Sequence, residues 1–234
     1  KDILMNFLNI LILMKINFGK LLIVLDLIIC GSKKITHGFL KKQYGVNTIT
    51  NLRIIARLDI KSKNLIKPIQ LEGLRVVGNP NEYALKYYKD YVDELIFIDN
   101  VASLYQRSYM LDIIKETVKD IFIPITVGGG IKSIRDVEIL LKNGADKVAI
   151  NTAAVNNPTL LKEISREFGS STLVLYVEAK KISIGHYEIY TNSGRERSYI
   201  QVEDWIKKTQ ENGIGEILLT SIDHEGTKKG FDLN

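Results

Sequence analysis

Leu58-Asp59-Ile60-Lys61 and Val177-Glu178-Ala179-Lys180 stand 119 residues apart and read as one motif written twice: an apolar residue ending a β-branched run, a carboxylate, a second apolar residue and a lysine. The stretches that follow repeat as well, since Glu94-Leu95-Ile96-Phe97-Ile98-Asp99 is echoed 122 residues later by Glu216-Ile217-Leu218-Leu219-Thr220-Ser221. Short β-branched runs of this kind are strands, and amphipathic stretches of helical period lie between them. Strands are expected at 53–58, 94–98, 121–127, 147–150, 171–177 and 216–220, and helices at 81–91, 105–118, 133–143, 157–168 and 202–212. Such alternation produces parallel β-α units with right-handed crossovers, hence a doubly wound sheet or a β/α barrel. The repeat decides for the barrel. Two halves of four β-α units give this spacing, and each half sets one carboxylate at the carboxyl end of its first strand, where barrel chemistry is carried out.

The rest of the composition fits one large core. The chain has 234 residues, 45% of them hydrophobic and 25% charged, with mean hydropathy +0.01, which excludes disordered and fibrous classes. A single cysteine, Cys30, excludes a disulfide framework and a multi-cysteine zinc site and points to a reducing cytoplasm. His37, His186 and His224 are too scattered to suggest a metal cluster, so neither metal nor cofactor is expected. The net charge of +5 belongs to the front of the chain: residues 1–52 carry seven lysines against Asp2 and Asp26, and residues 53–234 carry equal numbers of basic and acidic side chains. A neutral body lacks the concentrated cationic face that phosphate backbones require, so no nucleic-acid partner is expected.

The same charge split marks a boundary between a basic, partly apolar extension at 1–52 and a barrel domain at 53–234. The extension holds two apolar runs, 3–14 and 21–30, both shorter than the roughly 18 to 20 residues of a membrane span. The first has the length of a signal-peptide core, but Asp2 precedes it and no small-residue cleavage site follows cleanly, so secretion is disfavoured. At the other end only six of eight β-α units are present, and the repeat places a second glycine-rich turn beyond Asn234. The expected fold is therefore a (β/α)8 barrel truncated after its sixth strand, with two open edges. The run 21–30 reads as a strand and 37–46 as a helix, so a permuted barrel is conceivable; an unrelated extension is preferred.

Val127-Gly128-Gly129-Gly130-Ile131 follows a strand and leads into a helix whose first turn includes Ser133. Glycines here let backbone N–H groups approach an anion at a helix amino end, although a tight β-α turn would use them equally well. Asn151-Thr152, after the next strand, adds amide and hydroxyl donors and favours a phosphate site.

Taken together, Arg53-Ile-Ile-Ala-Arg-Leu-Asp59, Thr126-Val-Gly-Gly-Gly130-Ile131, Ala145-Asp-Lys-Val148 with Ile150-Asn-Thr-Ala-Ala-Val155, and Gly215-Glu-Ile-Leu-Leu-Thr-Ser-Ile-Asp223 resemble the cyclase subunit of imidazole glycerol phosphate synthase. The resemblance runs from Arg53 to Leu233. It implies a cytoplasmic lyase of histidine biosynthesis that takes ammonia from a separate glutaminase subunit. The ammonia is used on phosphoribulosyl-formimino aminoimidazole carboxamide ribonucleotide, PRFAR, to give imidazole glycerol phosphate and AICAR. It also implies that Asp59 and Glu178 act as general acid and base, because ammonia addition, AICAR release and ring closure each move protons. Substrate phosphates fall by resemblance on Gly129, Gly130, Asn151 and Thr152 and, in a second region, on Thr220, Glu225 and Gly226, with Lys67 as the lysine of a long loop after the first strand. Arg53, Glu94, Lys147 and Glu216 match a ring that gates ammonia at the amino-terminal mouth, under the glutaminase. An ordinary ion-pair layer would use the same residues, but finding all four at strand starts favours the gate.

Three residues depart from the family pattern. Glu178 stands where the family has aspartate, moving the acid outward by one methylene; a displacement of about 1 Å can cost on the order of a hundredfold in rate. Arg57 aims into the same lumen as Asp59 by period-two alternation, where a smaller neutral residue is common, and a buried arginine there is expected to pair with Asp59 or Glu178. Glu225 replaces an aspartate before Gly226. These departures leave two other readings: an ammonia-conduit paralogue serving sugar amidation in surface-polysaccharide pathways, and a non-catalytic fragment. Elsewhere, Trp205 is expected to pack helix on sheet and His224 to lie in a solvated loop. Residues 181–199 read as a β-hairpin inserted after the fifth strand and able to cover the active face.

Overall fold

The computed structural model describes residues 7–16, 19–28, 53–101, 108–229 and 232. Strands β1 (Phe7–Ile16) and β2 (Gly19–Ile28) form an antiparallel hairpin. β3 (Ile54–Lys61) is followed by β4 (Asn64–Ile69) and β5 (Glu72–Gly78), then α1 (Pro80–Lys89), β6 (Glu94–Asp99), α2 (Ser108–Asp120), β7 (Ile125–Gly128), α3 (Ile134–Lys142) and β8 (Lys147–Ile150). Two short helices, α4 (Thr152–Asn156) and α5 (Thr159–Phe168), lead to β9 (Leu173–Ser183), β10 (His186–Thr191), β11 (Glu196–Gln201), α6 (Val202–Gln210) and β12 (Glu216–Ser221).

β3, β6, β7, β8, β9 and β12 are successive parallel neighbours, the order that the β-α repeat requires. The two edges are not open. β2 runs parallel to β12, from Glu216 opposite Lys20 to Leu219 opposite Ile23, and β1 runs antiparallel to β3, from Asn9 opposite Arg57 to Ile12 opposite Ile54. The hairpin thereby closes the sheet into an eight-stranded ring and pairs the backbone groups that an open edge would expose. β2 occupies the place of a seventh strand, as the apolar run at 21–30 suggested, but the antiparallel direction of β1 separates this closure from a permutation of β-α units. The helix read at 37–46 lies outside the described residues.

Alternation along each strand divides the interior in two. Ile54, Ala56, Leu58 and Ile60 of β3 join Leu95, Phe97, Val127, Val148, Leu175 and Val177 in the layer under the helices. Ile55, Ile96, Ile98, Ala149, Val174, Tyr176 and Leu218 fill the lumen. Each fully buried branched side chain contributes roughly 1.5–3 kcal/mol, so register is strongly specified. Two helix starts carry side-chain caps. Asn79 Oδ1 accepts from the N–H groups of Asn81 and Glu82 ahead of Pro80 in α1, and Ser133 with Asp136 forms a capping box on α3. Trp205 is buried between α6 and the sheet, as expected.

Four elements differ from the sequence reading. The stretch after β3 is a β-hairpin and not a long loop: Leu65, Ile66, Val76 and Val77 supply strand residues, and Gln70 and Leu71 turn the chain at φ 51° and 62°. β7 begins at Ile125 and not at Ile121, because Pro124 has no N–H to give a central ladder. α4 was not foreseen. β9 runs on to Ser183, beyond the barrel, and with β10 and β11 forms a three-stranded lip.

Candidate active site

The two carboxylates of the repeat both face the lumen. β3 and β9 are four strands apart in the eight-stranded ring, hence on opposite walls, and Asp59 and Glu178 are each about 1% exposed. The Arg57 guanidinium lies between the walls. Its Nε and Nη2 donate to Asp59 Oδ1 at 3.0 and 2.8 Å, Nη1 donates to Thr220 Oγ1 at 2.8 Å, and Nη2 also reaches the Tyr176 hydroxyl at 3.1 Å. The expected pairing of Arg57 with a lumen carboxylate is therefore realised on Asp59. Asn100 Nδ2 donates to the same Asp59 oxygen at 3.0 Å.

Glu178 stands in a different environment. Its Oε2 accepts from Asn151 Nδ2 at 3.0 Å and from the Gly194 N–H at 2.9 Å. Burial pushes its carboxyl up to about 7, against the opposing pull of Tyr176, the Gly194 N–H and the Arg57 charge. A carboxyl poised there gives up and recovers a proton near neutrality, as a general acid-base group must. The Oδ1 atoms of Asn100 and Asn151 are buried with no hydrogen-bond partner among the described residues.

A cavity of about 290 Å³ opens above Glu178, with Gly129, Gly130, Lys132, Asn151 and Thr152 among its walls. Gly129 is obligatory: at φ 98°, a Cβ there would lie 2.3 Å from the Asp99 carbonyl oxygen, so no other residue lets the β7–α3 turn press against the end of β6. All four residues assigned to the first phosphate region line this wall, but the Asn151 amide already donates to Glu178 and to the Tyr190 carbonyl, each at 3.0 Å, and the Thr152 hydroxyl already accepts the Asn192 N–H at 3.0 Å. Lys132, which the sequence reading did not single out, adds a cation to this wall.

The β10–β11 turn forms the roof. Asn192 reaches Thr152, Ser193 Oγ donates to the Asn100 carbonyl at 3.1 Å, and Gly194 caps Glu178. The hairpin after the fifth strand thus does cover the active face, and its tip is 192–195. Asn192, Ser193 and Asn100 escaped the sequence reading because only the fold brings them over the carboxylates; the strand-end position of Asn100 was the one available signal.

The second phosphate region looks different. Lys67 lies on β4 and not in a loop, and its ammonium meets Glu225 Oε1 at 2.9 Å with both side chains buried. Gly226, at φ 72°, lets the loop after β12 pack on β4, where a Cβ would come within 2.3 Å of the Pro68 carbonyl oxygen. Thr220 faces Arg57 in the lumen, below this loop. His224 is partly exposed in the same loop.

At the opposite end of the barrel, Arg53, Glu94, Lys147 and Glu216 form a closed ring. Arg53 donates through Nη1 to Glu94 and through Nη2 to Glu216 Oε1 at 2.6 Å. Lys147 Nζ reaches Glu94 Oε2 at 2.9 Å and Glu216 Oε2 at 3.0 Å. Burial works against the charge on Glu216, but Lys147 and Arg53 outweigh it and hold its carboxyl below the ordinary range, while burial lowers Lys147. Among the described residues no three histidine, cysteine, aspartate or glutamate side chains converge as metal ligands would, and no helix is long and apolar enough to cross a membrane.

The profile of the histidine biosynthesis protein family matches residues 53–234. The chain is 60% identical over 185 residues to the imidazole glycerol phosphate synthase subunit HisF of Legionella pneumophila, covering 79% of this chain and 87% of that protein. It is 45% identical over 183 residues to the HisF subunit of Petrotoga mobilis, covering 78% and 73%, and 46% identical over 180 residues to that of Natranaerobius thermophilus, covering 77% and 71%. With its β-α repeat, its paired strand-end carboxylates and its glycine turn, this chain belongs to the histidine biosynthesis protein family.

Proposed function

We propose that this protein is the cyclase subunit of imidazole glycerol phosphate synthase, converting PRFAR and ammonia to imidazole glycerol phosphate and AICAR. The observation that carries the reading is the pair of enclosed carboxylates, Asp59 and Glu178, on opposite walls of the lumen, with Glu178 lining a cavity edged by Gly129, Gly130 and Lys132. Glu178, near neutral in its proton affinity, delivers and recovers the proton that leaves with AICAR and returns at ring closure. Asp59, with the Arg57 guanidinium and the Asn100 amide on one oxygen, is the opposing charged group. A substrate phosphate sits on the β7–α3 turn, where glycine backbone and Lys132 offer donors and positive charge.

The ring of Arg53, Glu94, Lys147 and Glu216 is the entry for ammonia from a glutaminase docked on the amino-terminal face. Such a subunit works in the cytoplasm, where glutamine and the nucleotide substrate are found. The test is PRFAR cleavage with ammonium, followed by absorbance. Turnover that Asp59→Asn and Glu178→Gln each abolish is the expected result; absence of turnover in folded protein overturns the reading.

A further inference from the structure

Between the four-charge ring and the carboxylates the barrel axis crosses two layers. Among the described residues the lower one holds the apolar Ile55, Ile96, Val174 and Leu218 and one hydroxyl, that of Thr126, each 1% exposed or less. The upper one is the Arg57 guanidinium. It leaves β3 and is anchored on the far side twice, at Thr220 of β12 and at Tyr176 of β9, whose ring lies 5.5 Å from the guanidinium carbon. Its side chain has no exposed area. A molecule travelling up the axis meets this group before it meets Asp59 or Glu178.

We propose that Arg57 is a bar across the barrel axis, a second gate that closes the path from the ring to the catalytic carboxylates until the guanidinium leaves Thr220 and Tyr176. The inference rests on the reading of this chain as an ammonia-fed cyclase. A cation held above a layer with no charged side chain among the described residues rejects ammonium, so only neutral ammonia follows when the guanidinium swings aside, and the two layers select the nucleophilic form. Two of the guanidinium's anchors are neutral hydroxyls, weaker than the pairing with Asp59, so the far end is the one that releases. Swinging about the Asp59 contact opens the axis without breaking the ion pair.

The test compares two nitrogen sources in the complex with the glutaminase subunit. Glutamine-derived ammonia must pass Arg57, whereas ammonium salts supply ammonia from the substrate side of the barrel, by a route that does not cross Arg57. Tyr176→Phe and Thr220→Val each remove one far anchor and leave the Arg57–Asp59 contact in place. The ratio of glutamine-driven to ammonium-driven turnover is the readout, because any effect on the chemistry itself divides out. The ratio is expected to rise about fivefold in each variant, the weight of one hydrogen bond in an opening equilibrium. Ammonium-driven turnover with an unmoved ratio overturns the bar and spares the cyclase reading. No turnover with either source, in folded wild-type protein, overturns the cyclase reading and the bar with it.

Discussion

Glu178 binds its proton more tightly folded than unfolded, since enclosure lifts its carboxyl from 4.5 to about 7. Such a group stabilises fully below its unfolded value, and the contribution is lost as pH rises through about 7. Above that pH the buried charge costs on the order of 3 kcal/mol. Glu178→Gln keeps an acceptor oxygen for Asn151 and Gly194 and removes the charge. Urea unfolding should therefore show the variant more stable than wild type by about 3 kcal/mol at pH 8 and nearly equal to it at low pH. Gly129 carries a backbone constraint of similar size. Gly129→Ala forces a Cβ onto the Asp99 carbonyl at a positive φ, and a loss of about 3 kcal/mol is expected in the same measurement.

Among the elements, the β9–β10–β11 lip is held differently from the barrel strands it extends. The barrel strands are held on both faces by packing, whereas the lip tip is held over the mouth by three hydrogen bonds, at Thr152, Asn100 and Glu178. Segments held mainly by a few hydrogen bonds open at lower free energy than packed cores. Gly194 stands at φ 76° with Leu71 Cδ1 3.0 Å from where a Cβ would go. Gly194→Ala strains the tip by roughly 1 kcal/mol, which raises amide hydrogen exchange at residues 192–195 about fivefold and leaves β8 and β9 unchanged. The expected catalytic counterpart is a raised KM for PRFAR.

On the scale of the whole molecule, the two ends of the barrel respond to pH in opposite directions. The Glu216 carboxyl is held below its ordinary range, so the ring contributes stability that is present above that range and lost as pH falls through the folded value. Glu178 contributes in the reverse sense, so the stabilisation that these two groups give together is greatest between their transitions. Lys147→Met removes the cation shared by Glu94 and Glu216 and leaves Arg53 alone with two buried carboxylates. Breaking a buried pair in this way costs about 3 kcal/mol. The variant should lose most of that at neutral pH and less at about pH 4, where Glu216, relieved of the Lys147 charge that held its carboxyl down, takes up a proton, as a pH series of urea midpoints would read.

The β-α repeat was legible in the sequence because strand and helix periods are local properties of the chain, and the repeat itself located Asp59 and Glu178 at strand ends. Arg57 was legible as lumen-facing, for residues 57 and 59 share a face by alternation alone. Its choice of Asp59 over Glu178 was a tertiary matter, decided by which wall its guanidinium could span toward Thr220 and Tyr176. The buried pairing of Lys67 with Glu225 depended on β4 and β5 forming a hairpin, a partnership between residues 158 positions apart that no local pattern encodes. The closure of the sheet by β1 and β2 belongs to the same class: an apolar run announces a strand, but its neighbour and direction are set by which edges the rest of the barrel leaves to be paired. The alternating barrel strands and helices, and the lumen-facing positions of Arg57, Asp59 and Glu178, were already written in the chain; the hairpin after β3, the helix α4 and which faces met belong to the tertiary structure, because contact energies between distant residues exist only once the chain has brought them together.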